Sequence, residues 1–243
     1  MRLDKFVSNN TSLSRSEASS QIKKGNVCVD GEKITSPDFK IDENKNVISL
    51  NGDVINYQKF TYIMLNKPQG VVSATTDTRD KTVLDLLPQE YKKQNLFPCG
   101  RLDKDTLGLV ILTNNGGGAH KLLSPKNHVT KEYEYECADP LNFEDKQKIE
   151  QGMLLKDGYT AKPCTIKQIT PHKGIITLTE GKYHEIKRMF GAVGNKITFL
   201  KRISFGSIKL DTKLEYGQFR PLTEEEKSIF EWENCLKTKI EYI

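Results

Sequence analysis

The spacing of apolar positions changes along the chain, and each spacing predicts a different kind of element. In "MRLDKFVSNN" Leu3, Phe6 and Val7 fall on one helical face. The string "SRSE", Ser14 to Glu17, is a capping box that opens a second helix. That helix runs through Ala18 and Ile22 to Gly25, which can end it in a left-handed cap. The pattern then shortens. "NVCVDGEKI" reads as strand, Asp30-Gly31 turn and strand, and "VISLNGDVI" repeats the device at Asn51-Gly52.

Residues 52–59 are short and polar enough to be a joint, and a new pattern begins after them. "FTYIMLNKPQGVVSAT" predicts a buried strand, a turn at Lys67-Pro68-Gln69-Gly70 and a second strand. "KTVLDLLP" and "EEEKSIFEWENCL" predict helices. The run Leu109-Val110-Ile111-Leu112 predicts a buried strand, and "KEYEYECAD", "GIITLTEG" and "NKITFLKRISFGSIKL" predict further strands by alternation and β-branched content. Strands dominate without a βαβ rhythm, so the expected class is α+β on a mixed, mostly antiparallel sheet. The expected domains are residues 1–58 and 59–243. No repeat of solenoid length occurs.

Composition narrows the function classes. The chain has 243 residues, 28% charged and 36% hydrophobic, which is a globular balance. It lacks a long apolar run, and its first residues lack the apolar stretch of a signal peptide, so the expected location is the cytoplasm, with no membrane association. Cys28, Cys99, Cys137, Cys164 and Cys235 are scattered, and neither they nor the histidines show metal-ligand spacing, so no metal is expected. Net charge is +5, mild unless clustered. It is clustered. Residues 1–29 hold Arg2, Lys5, Arg15, Lys23 and Lys24 against Asp4 and Glu17, whereas residues 30–57 are net acidic. Basic side chains along a helical face can lie on a phosphate backbone.

The densest chemistry lies in "CGRLDKDTLGLVILTNNGGG", residues 99–118, where Arg101, Asp103, Asp105 and Thr106 share one short turn. A calcium loop fails there, because Leu107 and Asn114 stand where its fifth and twelfth ligands belong. An aspartyl-phosphate site would need a strand running into Asp103, but a turn precedes it. No Walker-type phosphate loop occurs. The cluster Asn114–Gly118 reads as a strand-ending turn.

Two resemblances connect these features. "MRLDKFVSNNTSLSRSEASSQIKKGNVCVDGEKI" resembles the S4-like RNA-binding module of ribosomal small-subunit protein four and many RNA-modifying enzymes. "GRLDKDTLGLVILTNNG" resembles the signature of pseudouridine synthases, in the branch that includes RsuA, RluB, RluE and RluF. "YIMLNKPQGVVSAT", "HVTKEYEYE", "EGKYHEIKRMFGAVGNKI" and "GQFRPLTEEE" resemble further segments of that branch. Glu185 departs mildly, since glutamine is common there.

The resemblance implies a cofactor-independent isomerisation of uridine in RNA, with base flipping and Asp103 as the essential aspartate. It leaves open whether Asp103 attacks the sugar, attacks the base or removes a proton. Lys187 matches the basic residue that pairs with this aspartate. A cation there offsets the penalty of burying a carboxylate. Tyr133 matches the active-site tyrosine, able to stack on uracil and to assist proton transfer, while Tyr135 is the decoy on the same strand face. Arg101 would fill the space left in the RNA or orient Asp103. Lys182 and Arg188, like the basic residues of the N-terminal module, would meet phosphates. The implied partner is ribosomal RNA within a small-subunit assembly intermediate, bound by a monomer. A 16S target is favoured by the N-terminal module and by the chain's end shortly after "RPLTEEE". The alternatives are a 23S target or a non-catalytic RNA-binding assembly protein.

Overall fold

The structure is a computed structural model that describes residues 1–43, 45–55, 57 and 59–230. It falls into two compact units, Met1–Phe60 with Gln89–Asn95, and Thr61–Pro88 with Leu96–Ile243.

The first unit opens with α1 (Leu3–Asn10) and α2 (Arg15–Lys23). Ser14 caps α2 as the sequence predicts. Its hydroxyl accepts from the Glu17 N–H while the Glu17 carboxylate accepts from the Ser14 N–H. Four short strands follow: β1 (Val27–Val29), β2 (Glu32–Lys33), β3 (Ile48–Leu50) and β4 (Asp53–Val54), in the antiparallel order β2-β1-β3-β4. Asp30-Gly31 and Asn51-Gly52 turn the two hairpins with φ of +52°, +86°, +54° and +92°, the left-handed backbone such tight turns require. The helices bury Leu3, Phe6, Val7, Ala18 and Ile22 against Val27, Val29, Ile41 and Ile48. The helix α3 (Gln89–Lys92) also belongs to this unit.

The second unit is one mixed sheet. Its strands are β5 (Tyr62–Lys67), β6 (Phe97–Cys99), β7 (Leu107–Thr113), β8 (Lys131–Cys137), β9 (Thr165–Thr170), β10 (Lys173–Leu178), β11 (Ile197–Phe205), β12 (Ile208–Lys209) and β13 (Phe219–Pro221). The order is β13-β5-β7-β11-β8-β10-β9, with β12 beside β11 and β6 beside β7. Only the β7–β11 pairing among these is parallel. Strand β7 is buried along Gly108–Thr113, which explains its unbroken apolar run. Helices α4 (Gly116–Leu123), α5 (Phe143–Glu150), α6 (Glu185–Ala192) and α7 (Glu224–Lys227) also belong to this unit.

Three local expectations need correction. Asn114–Gly118 does not simply end a strand. The Asn115 side chain accepts from the Gly118 N–H and caps α4, so three glycines that argue against a helix are carried into one by the cap and by buried Ala119 and Leu122. The second strand after Gly70 is a single bridge, Val72 to Thr82. "KTVLDLLP" forms only a 3₁₀ turn, Val83–Leu86, held by a Thr82/Asp85 capping box. Residues 231–236 of the helix predicted at the C-terminal end, and Cys235, lie outside the described residues.

Candidate active site

Asp103 sits in the loop between β6 and β7, and that loop is braced from several sides. The Ser73 hydroxyl donates to the Leu102 carbonyl at 3.0 Å and accepts the Leu102 N–H at 3.1 Å. The Thr106 N–H closes a turn on the Asp103 carbonyl. Lys67, fully buried at the end of β5, aims its ammonium at the carbonyls of Pro68, Lys104 and Thr106, at 3.1, 3.2 and 2.7 Å. Burial pushes this lysine down to about 8, against the pull of Asp105 and Asp103. Gly108 is required by the sheet. Its φ is +98°, and a Cβ there would lie 2.3 Å from the Arg202 carbonyl oxygen on neighbouring β11.

The opposing wall is the start of α6. Lys187 Nζ donates to Asp103 Oδ2 at 3.0 Å and to Asp105 Oδ1 at 2.5 Å. Its side chain is 22% exposed and that of Asp103 25%, so the pair is half-sheltered yet reachable. Burial works against the lysine's charge, but the two carboxylates outweigh it and raise its pKa. Burial likewise opposes ionisation of Asp105, and Lys187 outweighs it, holding Asp105 below its ordinary value. His184 Nε2 lies 3.5 Å from the other Asp103 oxygen, on a residue whose φ of +49° turns the chain into α6.

Tyr133 lines the same cleft as Asp103, Lys187, His184 and Arg101. Strand alternation places Lys131, Tyr133, Tyr135 and Cys137 on one buried face of β8. Tyr135 is the decoy. It packs on Phe190 at 5.0 Å, burial pushes its hydroxyl up to about 12, and it does not line the cleft.

The remaining basic candidates are dispersed. Arg101 and Lys182 are exposed at the cleft edge. Lys182 also lies over the Tyr159 ring, and Arg188 pairs with Asp157. In the first unit Lys5, Lys23 and Lys24 are exposed, whereas Arg2 and Arg15 both reach buried Asp4, at 3.0 and 3.3 Å. Burial would raise the Asp4 pKa, but the two arginines and the Lys5 N–H outweigh it. The expected basic face is thus partly neutralised from within.

Sequence reasoning missed Lys67, His184 and the second Lys187 partner, Asp105. A lysine ending a fully apolar strand and preceding proline is the available signal for Lys67, because buried lysines need partners. The pair Glu180 and Glu185, 5% and 4% exposed, was also missed. Glu185 Oε1 meets no donor, and its neighbour is the Glu180 carboxyl. A proton on Glu185 lets it donate to Glu180. Burial and that neighbour push Glu185 up to about 7.

Comparison with known proteins agrees with this architecture. The model of a family described as RNA pseudouridylate synthase matches residues 61–192, and an S4 domain model matches residues 1–47. The uncharacterized RNA pseudouridine synthase YtzG of Bacillus subtilis is 44% identical, covering 93% of this chain and 96% of that one. Ribosomal small subunit pseudouridine synthase A of Escherichia coli is 39% identical, covering 93% of this chain and 98% of that one. A crystal structure of a pseudouridylate synthase aligns over 95% of this chain and 99% of its own, with 35% identity and a TM-score of 0.67. The chain therefore belongs to the RNA pseudouridylate synthase family and carries an S4 domain at its N-terminus.

Proposed function

We propose that this enzyme converts one uridine of small-subunit ribosomal RNA to pseudouridine, with Asp103 as the reacting carboxylate. The observation that carries the reading is Lys187 Nζ at 3.0 Å from Asp103 Oδ2, in a cleft that also holds Tyr133 and Arg101. The bond between the ribose carbon and the ring nitrogen breaks, and a ring carbon bonds to the same sugar carbon. That ring carbon loses a proton and the ring nitrogen regains one, so no atoms are gained or lost. Positive charge that develops on the sugar is met by an adjacent carboxylate. Lys187 holds Asp103 in place from one side. Tyr133 offers a flat face to the swung-out base and a hydroxyl able to assist proton transfer from the ring carbon. Arg101, exposed two residues before Asp103, enters the gap left in the RNA.

The small-subunit target rests on relatives of near-equal length that bear that name. The enzyme acts as a cytoplasmic monomer on an assembly intermediate, with domains at 1–58 and 59–243. The N-terminal domain holds RNA by shape and phosphates, through Lys5, Lys23 and Lys24 beside Arg2 and Arg15.

The test is to map carbodiimide-labelled pseudouridines across both large ribosomal RNAs, from cells with and without the gene and from purified subunits treated with the enzyme. One small-subunit position is expected to depend on the gene. A gene-dependent position confined to large-subunit RNA, or none in either RNA, overturns the reading.

A further inference from the structure

Beside the Asp103 cleft lies a second pocket, lined by Gly100, Lys131, Glu180 and Arg202, and sharing Arg101, Tyr133 and Lys182 with it. Strand register explains the grouping. Arg202 on β11 stands opposite Tyr133 on β8, and Phe205 stands opposite Lys131. The Lys131 ammonium and the Arg202 guanidinium each lie 5.3 Å from the Phe205 ring centroid, so two cations share one aromatic ring.

Both cations are buried, Lys131 to 7% exposure and Arg202 to 1%. Lys131 donates to the Val129 carbonyl at 2.9 Å, and Arg202 Nε donates to the Leu109 carbonyl at 2.7 Å. Among the described residues Arg202 Nη2 meets no hydrogen-bond partner and neither cation makes an ion pair. Two like charges out of water repel, and burial without an anion is costly. Burial and then Arg202 push Lys131 down to about 8. Glu180, the carboxylate on the wall, is engaged elsewhere. It accepts the Lys162 N–H at 3.0 Å, lies 3.9 Å from the Lys162 ammonium and bonds Glu185 and Tyr159.

We propose that Lys131 and Arg202 form an anion subsite that takes one backbone phosphate of the RNA, next to the nucleotide held at Asp103. Phosphate oxygens supply what both groups lack, a planar guanidinium being suited to them and a lysine ammonium adding a point charge. The shared Arg101, Tyr133 and Lys182 make the two pockets continuous. A nucleotide with its base against Tyr133 then has a neighbouring phosphate over Lys131. The identity of the RNA rests on the function proposed above, but the subsite itself does not.

The test compares wild type, Lys131→Met and Lys131→Arg in thermal melts with inorganic phosphate against chloride at equal ionic strength, and in RNA binding as a function of salt. Differences between variants cancel the general effect of phosphate on protein stability. Phosphate is expected to raise the wild-type Tm more than that of Lys131→Met, with Lys131→Arg keeping the protection. Without phosphate, Lys131→Met is expected to melt no lower than wild type, because it removes the repulsion on Arg202. Its log–log salt slope for RNA binding is expected to fall by about 0.7–0.9, one phosphate contact. If wild type modifies no ribosomal RNA yet this phosphate protection depends on Lys131, the subsite stands and the substrate reading falls. A lower Tm of Lys131→Met with unchanged phosphate protection and salt slope would mean a structural lysine and overturn the proposal.

Discussion

Asp103 and Glu185 line the same cleft and are both withdrawn from water, yet they are compensated in opposite ways. Asp103 faces the Lys187 ammonium and keeps a quarter of its side chain exposed. Glu185 is 4% exposed and faces a second carboxyl, so burial and that neighbour favour its protonated form. The difference separates two uses of a carboxyl group. One is presented to a substrate, with a cation offsetting the cost of shelter. The other, pushed up to about 7 by burial and the Glu180 carboxyl, is a strut at the first turn of α6, accepting the Lys182 N–H at 2.8 Å and tying the entry of the helix that carries Lys187.

Among variants that leave Asp103 in place, Lys187→Met should break this contrast most. It leaves Asp103 and Asp105 without their shared cation, and Asp105, which Lys187 holds below its ordinary value, should then titrate higher. A loss of about 10²-fold in single-turnover rate is expected at neutral pH, partly recovered as pH rises. A pH–rate profile identical in shape to wild type would argue against the pairing.

Next in size is Lys67→Met. It removes the donor to the Pro68 carbonyl and to two carbonyls of the Asp103 loop, those of Lys104 and Thr106, and a destabilisation of about 2–4 kcal/mol is expected in urea unfolding. In the enzyme that remains folded, the turnover rate should fall further than RNA affinity. Equal losses in both would place Lys67 in RNA binding instead.

The smallest effect concerns Glu185→Gln. In wild type the native state holds this proton up to about pH 7, whereas an ordinary glutamic acid loses it near 4.5. The native state therefore binds more protons across that window, and stability falls as pH rises through it. Glu180 acts oppositely and only lower down, because its pKa is held below the ordinary value. A glutamine keeps a donor to Glu180 without a titrating proton, so the decline of Tm between about pH 5 and pH 7, a few degrees, should flatten. A decline equal to that of wild type would show that Glu185 is not the proton carrier.

What could be read in the sequence was local. Capping Ser14 and Glu17, the Asp-Gly and Asn-Gly hairpins, and the apolar runs of β5 and β7 each follow from neighbours in the chain. The "RLDKD" turn and the "HEIKRM" segment suggested Asp103 and Lys187 through a family pattern, and the fold brings their side chains together. The rest depended on pairing across the sheet. Nothing near Arg202 in sequence reveals that it meets Lys131 over Phe205, since those strands are joined only by register. Asp105 could be a capping residue until α6 is laid against its loop. The α4 helix was hidden because its glycines argue for a turn, and the Asn115 cap and a buried face override them.

The most direct measurement is single-turnover conversion by Asp103→Asn on saturating small-subunit RNA, alongside the affinity of the same variant. Pseudouridine formation is expected to fall by about 10³-fold or more, while RNA binds as tightly as to wild type. Conversion within tenfold of the wild-type rate, with the RNA bound, would contradict the assignment of Asp103 as the reacting group.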